Sequence, residues 1–262
     1  MDNQTRGGIN IKTCVEEMEL LSESILYRAS VCYCYIPILQ SVKKLSEFLH
    51  KKEKNYYDNL MHDRRKKSYL LGRYSAKRAI SYLFGEDNLQ EILIQPGVFS
   101  QPINSYSKGR DIQVSITHSG DFGAAVAFPE ALPMGIDMEK IDPGKRDVME
   151  SQMTEAEKGL IRNLSRLDEK MLTLLWSTKE SLSKVLKTGL TTPFYIYEID
   201  GIKRRHNCFI TYFKNFGQYK ALSFTLGEYM CSISYPKSFD LNLNVEFLKY
   251  SLDSAGDDQQ VI

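Results

Sequence analysis

The sequence has no long hydrophobic run. Its longest nearly apolar stretch, VCYCYIPIL at residues 31–39, is far shorter than the roughly 20 residues that a helix needs to cross a bilayer. Residues 1–14 lack a basic segment followed by an apolar stretch, so we expect no signal peptide. The hydrophobic fraction of 42% and the charged fraction of 26% are ordinary for a globular protein. These features predict a cytoplasmic protein that makes no use of a membrane.

Cysteine is scarce, and the five that occur are an odd number. Cys32 and Cys34 could in principle bind a metal ion, but no second pair follows at the spacing of a zinc site. Reduced, structural thiols in a cytoplasmic protein are therefore the favoured interpretation of all five: Cys14, Cys32, Cys34, Cys208 and Cys231.

Net charge is also nearly absent, at +1, which argues against a general nucleic-acid-binding protein. The charge is unevenly placed, however. The segment from Lys43 to Arg78 contains twelve Lys or Arg and four acids, a net +8, so the rest of the chain sums to −7. Two interpretations stay open at this point: a solvated helical face, or a site for a compact polyanion such as a nucleotide with several phosphates.

The first half of the chain has mixed periodicity. Residues 14–30 and 40–84 are predicted to be mainly helical, and the Pro and Gly residues of 96–111 predict a loop. Strands are predicted at 113–119, 123–128 and 134–139, with a hairpin turn between the first two.

The second half begins after PEALP at 129–133, the best candidate for a boundary. It is predicted to contain helices over 153–164 and 168–187, the first with a capping box from Thr154 to Glu157. Four short strands are predicted at 194–200, 207–213, 219–226 and 229–235. The sequence thus indicates an α+β protein with lobes at 1–130 and 131–250 and a polar, disordered tail at 251–262.

The stretch MGIDMEKID at 134–142 alternates between apolar and polar residues. In a strand, Asp137 and Glu139 would project from the same face. Two neighbouring anions in a half-buried sheet are destabilising unless a positive charge lies close to them. A Lys, an Arg or a metal ion would supply that charge.

The stretch LLWSTKESLSKVLKTGL at 174–190 places Glu180 and Lys184 on one helix face. Alone, this pair is most simply a surface ion pair. Combined with Asp137 and Glu139 it gives three carboxylates, the ligands that Mg²⁺ prefers, and a lysine that could bind phosphate. Such an assembly suits phosphoryl-type transfer.

These residues also resemble a known family. G-I-D-x-E at 135–139, followed some forty residues later by W-S-x-K-E-S-x-x-K at 176–184, is similar to the signature of the 4′-phosphopantetheinyl transferases. LLGRYSAKRAI at 70–80, VSITHSGDF at 114–122, MTEAE at 153–157 and KTGL at 187–190 follow in the family's order. The resemblance covers roughly 45–236, and the chain length is similar to that of the long, pseudo-dimeric Sfp-type branch.

The resemblance implies an activity and a fold. Members of the family move the phosphopantetheine arm of coenzyme A to a serine of an acyl, peptidyl or aryl carrier protein, require Mg²⁺ and release 3′,5′-ADP. The implied fold is two similar α/β lobes related by a pseudo-twofold axis, with the active site in the cleft between them. Two such lobes in one chain favour a monomer, with no nucleic acid or membrane as a partner.

The resemblance also implies roles for residues of the acidic motifs. Asp137, Glu139 and Glu180 would bind Mg²⁺ together with the pyrophosphate. Glu180 would also be the base that deprotonates the carrier serine, directly or through water. Lys184 would hold the pyrophosphate and ease departure of the ADP group, with Lys179 beside the same site.

Coenzyme A contacts are implied for the first half of the chain. Thr117 and His118 resemble the family's Ser-His or Thr-His pair, which contacts the phosphates. From the residues alone, a hydrogen-bonded hairpin histidine is the favoured interpretation of His118. The basic segment would suit the 3′-phosphate, through Lys67 and through Lys54 or its neighbour Lys52.

The chain departs from the family pattern at two places on this side. The basic residue expected four positions before Gly72 is Ser68, with Lys67 adjacent, and the usual Gly-Lys-Pro loop is replaced by Ser100, Gln101 and Pro102. We expect Gln101 and Pro102 to contact the nucleotide.

Two rival functions stay open. One is another Mg²⁺-dependent phosphotransferase, although no Gly-x-x-x-x-Gly-Lys-Ser/Thr loop is present in the sequence. The other is a non-catalytic relative that binds coenzyme A or a carrier protein, which would be expected to lack Glu180 or Lys184.

Overall fold

The computed structural model describes residues 12–36, 46–109 and 111–253. They form two compact units, one from the described residues up to 131 together with 241–253, and the other from 132–240. Among the helices in these ranges, none combines the length and apolar character that a membrane span requires. In chain order the elements are β1 (Lys12–Leu21), β2 (Leu26–Tyr35), α1 (Lys51–Asp58), α2 (Asp63–Phe84), β3 (Ile94–Pro96), β4 (Pro102–Asn104), β5 (Ile112–Ser119), β6 (Phe122–Pro129), β7 (Gly135–Lys140), α3 (Arg146–Ser151), α4 (Glu155–Leu164), α5 (Glu169–Val185), β8 (Ile199–Arg205), β9 (Cys208–Phe213), β10 (Tyr219–Leu226), β11 (Tyr229–Pro236), β12 (Asp240–Asn242) and α6 (Val245–Asp253).

The first unit is built on a sheet in the order β12-β1-β2-β6-β5, with β3 and β4 as a separate two-stranded ribbon. Helix α2 packs on β2, β6 and β5. Its apolar side chains recur every three or four residues, so one face is buried against the sheet. The core includes Leu70, Leu71, Ala76, Ala79, Ile80, Cys32 and Cys34.

The second unit contains an antiparallel sheet in the order β7-β11-β10-β9-β8, with α5 packed on β7, β11 and β10. Helix α4 begins with the predicted capping box, in which Thr154 accepts a hydrogen bond from the Glu157 backbone and Glu157 accepts one from the Thr154 backbone. The core includes Leu172, Leu174, Leu175, Leu182, Tyr197 and Met230.

The prediction of a helix over 14–30 is wrong, because this segment forms the antiparallel hairpin of β1 and β2. Its glutamates favour a helix locally, but pairing between the strands decides the structure. The buried side chains of β1, at Cys14, Met18 and Leu20, follow the period of a strand.

Smaller corrections concern boundaries. The predicted loop over 96–111 contains β4 and the end of β3, and the strand predicted from 194 begins only at Ile199, after a 3₁₀ helix at Phe194–Tyr197. Within the predicted helix over 40–84, residues 40–45 lie outside the described part. So does most of the predicted disordered tail, whose first three residues, 251–253, are helical.

The strand predictions around the acidic motif are confirmed, with the hairpin of β5 and β6 closed at Gly120, whose φ is 59°. Residues 241–250, which the sequence analysis placed with the second lobe, group with the first unit, because β12 lies beside β1 in its sheet and α6 contacts β1. None of the five cysteines, all of which lie in the described residues, forms a disulfide, and Cys32 and Cys34 lie in the core.

Candidate active site

Helix α5 lies very close to β7 at Gly135. A Cβ atom added to this glycine would lie 2.1 Å from the carbonyl oxygen of Ser181, a separation that real atoms do not reach. Only glycine allows the helix backbone to rest against the strand at this point. The G of the G-I-D-x-E motif therefore sets the distance between the two elements that bear the acidic residues.

A ladder of buried hydroxyl groups holds α5 on the sheet. Ser177 Oγ lies 2.7 Å from Ser232 Oγ, which lies 2.8 Å from Ser223 Oγ, and Ser181 Oγ lies 2.6 Å from Ser234 Oγ. Small side chains permit the close approach, and their hydrogen bonds satisfy polar groups away from water. The helix consequently has a fixed rotation and register above β10 and β11.

Lys184 and Asp137 form the central ion pair of the site. Lys184 Nζ donates to Asp137 Oδ1 at 2.8 Å and to the carbonyl oxygen of Ile136 at 2.9 Å. The Asp137 side chain is only 6% exposed, whereas that of Lys184 is 26% exposed. Lys184 of α5 thus supplies a positive charge to the acidic strand.

Glu139 and Glu180 complete an acidic cluster around Asp137. Burial, followed by the charge of Asp137, raises the pKa of Glu180 to about 7, and Lys184 opposes this shift. Burial and Asp137 also raise the pKa of Glu139, partly offset by Lys145, whose Nζ lies 3.2 Å from Glu139 Oε2. The cluster carries more negative charge than its two lysines neutralise, and it would gain from a further cation.

Whether a metal ion fits this site is judged from the chemical type of its ligands, because the described residues form no preformed coordination site. In the part of the chain that the structure describes, no three or more His, Cys, Asp and Glu side chains are grouped closely enough to hold an ion as they stand. The available donors are carboxylate oxygens, which suit a hard cation such as Mg²⁺ and leave room for water and phosphate oxygens. The donor set fits Mg²⁺ in chemical type.

Lys179, predicted beside this site, points elsewhere. Its side chain is fully buried, and its Nζ donates to Glu157 Oε2 at 2.8 Å and to the Gln152 carbonyl oxygen at 3.4 Å. Burial lowers the Lys179 pKa and the Glu157 carboxylate opposes that shift. The structure gives this lysine an internal partner. The capping-box signal identifies Glu157, but no signal in the sequence pairs it with Lys179.

Thr117 and His118 lie at the end of β5, opposite Ala124 and Gly123 of β6. Thr117 is buried and His118 is exposed. The adjacent turn residue, Asp121, accepts a hydrogen bond from Lys67 Nζ at 2.5 Å, so Lys67 is held beside this hairpin. Asp121 was not predicted as a site residue, and nothing in its local sequence distinguishes it.

The other predicted nucleotide contacts lie on α1 and on the ribbon of β3 and β4. Lys54 is exposed on α1. Gln101 Oε1 accepts a hydrogen bond from the Phe99 backbone at 2.9 Å, and Pro102 pairs with Pro96 at the start of β4. Two lysines of the basic segment, at positions 43 and 44, are outside the described residues.

The second unit is thus an antiparallel sheet crossed by one helix, with an acidic, lysine-containing site where helix and edge strand meet. Residues 133–234 match the family model described as the 4′-phosphopantetheinyl transferase superfamily. Over 101 residues the chain is 29% identical to a holo-[acyl-carrier-protein] synthase of Staphylococcus carnosus (strain TM300), a match covering 36% of this chain and 86% of that protein.

A crystal structure of a holo-(acyl-carrier-protein) synthase from Bacillus anthracis str. Ames, in complex with CoA (3′,5′-ADP), is 21% identical to this chain. The match covers 46% of this chain and 95% of that chain, with a TM-score of 0.32. The region that matches the superfamily model contains Asp137, Glu139, Glu180 and Lys184.

Proposed function

We propose that this protein transfers the 4′-phosphopantetheine arm of coenzyme A to a serine of an apo acyl, peptidyl or aryl carrier protein. The observation that carries the proposal is the ion pair of partly exposed Lys184 and buried Asp137, flanked by Glu139 and Glu180, within the region that matches the superfamily. Its carboxylates can accept a proton or bind a cation, and Lys184 can donate hydrogen bonds to phosphate oxygens. Phosphoryl-type transfer needs these groups together.

In the proposed reaction the serine Oγ attacks the β-phosphorus of coenzyme A. The bond from this phosphorus to the bridging oxygen breaks, and 3′,5′-ADP leaves with the electron pair. Glu180 takes the serine proton, directly or through one water. Lys184 stabilises the negative charge that develops on the leaving phosphate.

Asp137, Glu139 and Glu180 would hold the Mg²⁺ ion together with pyrophosphate oxygens. When bound, the ion supplies positive charge that stabilises the phosphate oxygens during transfer. The shared negative charge of the three carboxylates, seen in the raised pKa values of Glu139 and Glu180, supports this assignment.

The nucleotide part of coenzyme A would bind residues of the first unit. Lys54 and His118, which are exposed, and Thr117, which is buried, would contact its phosphates. Lys67 would keep its hydrogen bond to Asp121 at the hairpin turn and donate a second hydrogen bond to a phosphate. Gln101 and Pro102 would border the nucleotide from the ribbon. Lys179 is left out of this set because its ammonium group is paired with Glu157 in the interior of the second unit.

We further propose the Sfp-type architecture, with two similar lobes related by a pseudo-twofold axis, coenzyme A in the cleft between them, and a monomeric chain. The support is an arrangement that occurs once in each unit. A long helix packs on a three-stranded portion of the sheet, β2-β6-β5 in one unit and β7-β11-β10 in the other. The predicted absence of a nucleic acid or membrane partner and the cytoplasmic location stay predictions.

A non-catalytic relative that binds coenzyme A or a carrier protein is the second candidate, and another Mg²⁺-dependent phosphotransferase is the third. Glu180 and Lys184 are both present on α5, where Lys184 bonds to Asp137 and the Asp137 charge raises the pKa of Glu180. This arrangement favours a catalyst over the non-catalytic relative. The superfamily match of the acidic region disfavours the third.

The test is intact-mass spectrometry of a panel of apo carrier proteins incubated with the protein, coenzyme A and Mg²⁺. We expect a gain of one phosphopantetheine on at least one carrier, loss of the gain with EDTA, and its return with excess Mg²⁺. Binding of coenzyme A with no gain on any carrier would support the non-catalytic alternative instead.

A further inference from the structure

The buried Lys179–Glu157 pair joins four segments of the second unit. Glu157 Oε2 accepts from Lys179 and from the Thr154 backbone at 2.8 Å each, and Glu157 Oε1 accepts from the Ile199 backbone at 3.0 Å. Lys179 also donates to the carbonyl oxygen of Gln152. Both side chains are completely buried. One ion pair therefore ties α5 to the start of α4, to the segment before it and to the start of β8.

The first unit contains a similar construction, to which Arg73 Nε adds a second cation 3.6 Å from Glu53 Oε1. Glu53 of α1 accepts from Lys77 of α2 at 2.5 Å and from the backbones of His50 and Ile94. Lys77 also donates to the carbonyl oxygen of Phe48, two residues before His50, just as Gln152 lies two residues before Thr154. The chain thus holds two copies of one buried anchor, each between a short capped helix and the long helix that lies on the sheet.

The strands beneath the two long helices also correspond. Both β6 and β11 follow a two-residue turn that begins with a glycine of positive φ, and they pair in the same register with β2 and β7. Counting from these turns therefore gives the matching positions in the strands, and counting from the buried lysines gives the matching positions in the long helices. The matches are Asp137 with Cys32, Glu139 with Cys34, and Glu180 with Arg78.

The anchor is present in both units, but the acidic site is present in one. A buried ion pair gives little net stability, because removing both charges from water costs about as much as their attraction returns. In the second unit the anchored lysine directly precedes Glu180. The anchor holds α5 from the side of α4 and β8, while the hydroxyl ladder holds it from the side of β10 and β11.

From this geometry we infer that Lys179 is a positioning residue for the transfer reaction. Through Glu157 it fixes the rotation of α5 and so places the Glu180 carboxylate beside Asp137. This inference rests on the proposed function. Lys179 itself touches neither coenzyme A nor the reacting atoms.

The test compares two matched double variants that remove both charges of one anchor, Lys179→Met with Glu157→Gln and Lys77→Met with Glu53→Gln. We expect similar decreases in the urea midpoint of unfolding for the two. We expect kcat for carrier loading to fall at least tenfold only in the Lys179 variant, with KM for coenzyme A within threefold of wild type. We also expect Lys179→Arg, which keeps the charge, to recover at least half of wild-type kcat.

Binding of Mn²⁺, followed by electron paramagnetic resonance, supplies a readout that needs no activity. Affinity should fall at least fivefold in the Lys179 variant and stay within twofold in the Lys77 variant. Equal effects of the two variants on kcat and on Mn²⁺ affinity, or wild-type values in both, would overturn the inference. If the double variants do not fold, Glu157→Gln and Glu53→Gln are compared by the same criteria.

Failure of the proposed function gives a different result. A wild-type protein that binds Mn²⁺ but loads no carrier contradicts the proposed function, while the metal-binding comparison of the two variants still decides the role of Lys179.

Discussion

Lys184 Nζ donates to Asp137 Oδ1 across 2.8 Å, from the helix α5 to the edge strand β7. This bond joins the two motifs that the sequence separates by some forty residues. It also neutralises the most buried carboxylate of the site, which leaves Glu139 and Glu180 to share the remaining negative charge.

Replacing Glu180 with Gln should reduce carrier loading at least a hundredfold, because the amide accepts no proton and is a poor cation ligand. The fold should be retained, since the change removes a buried charge next to Asp137. Initial rates from intact-mass spectra and a urea unfolding curve check both points. Glu155→Gln, an exposed acid of α4, is the control and should keep wild-type rates. Wild-type loading by Glu180→Gln would remove the proposed base.

Replacing Lys184 with Ala should lower kcat more than replacing Lys54 with Ala. Lys184 is bonded within the acidic site, whereas Lys54 is exposed on α1 and should mainly affect KM for coenzyme A. Steady-state kinetics with one carrier protein separate the two effects. A larger loss of kcat in the Lys54 variant would reverse the assignment of the two lysines.

Replacing Gly135 with Ala should destabilise the protein by about 1–3 kcal/mol, the usual cost of overpacking. The new methyl group would lie 2.1 Å from a carbonyl oxygen of α5, so helix and strand must separate. Gly159→Ala in α4 is the matched control, because nothing lies within 4 Å of its Cβ position. Urea midpoints should fall for the first variant and stay level or rise for the second. A level midpoint for Gly135→Ala would show that the helix does not need this close approach.

Stability should depend on pH through Glu86 in the first unit. Hydrogen bonds from the Tyr106 hydroxyl, the Asn88 backbone and Lys108 lower the pKa of Glu86 to about 2. A depressed pKa stabilises the fold above the carboxyl's ordinary pKa of about 4.5, and this contribution disappears as the pH falls through 2. Glu86→Gln should therefore lower the urea midpoint at pH 7 and lose its effect near pH 2. An equal effect at both pH values would contradict the shift.

The acidic site was largely predictable from the sequence, because period-two and period-3.6 patterns decide which side chains share a face. Those patterns placed Asp137 with Glu139 and Glu180 with Lys184, and the structure places Lys184 on Asp137. The helix predicted over 14–30 failed because pairing of β1 with β2, and of β2 with the distant strand β6, overrides local preference. The partners of Lys179 and Lys67 were not predictable, since Glu157 and Asp121 meet them only through tertiary packing.

The most direct test of the account is the rate at which an apo carrier protein gains one phosphopantetheine, measured for wild type and Asp137→Asn with and without Mg²⁺. Asp137→Asn removes the charge that binds Lys184 while keeping the side-chain shape. The account predicts rapid, Mg²⁺-dependent modification by wild type and a loss of at least a hundredfold in the variant at every Mg²⁺ concentration. Equal rates for the two proteins, or wild-type modification that persists in EDTA, would contradict it.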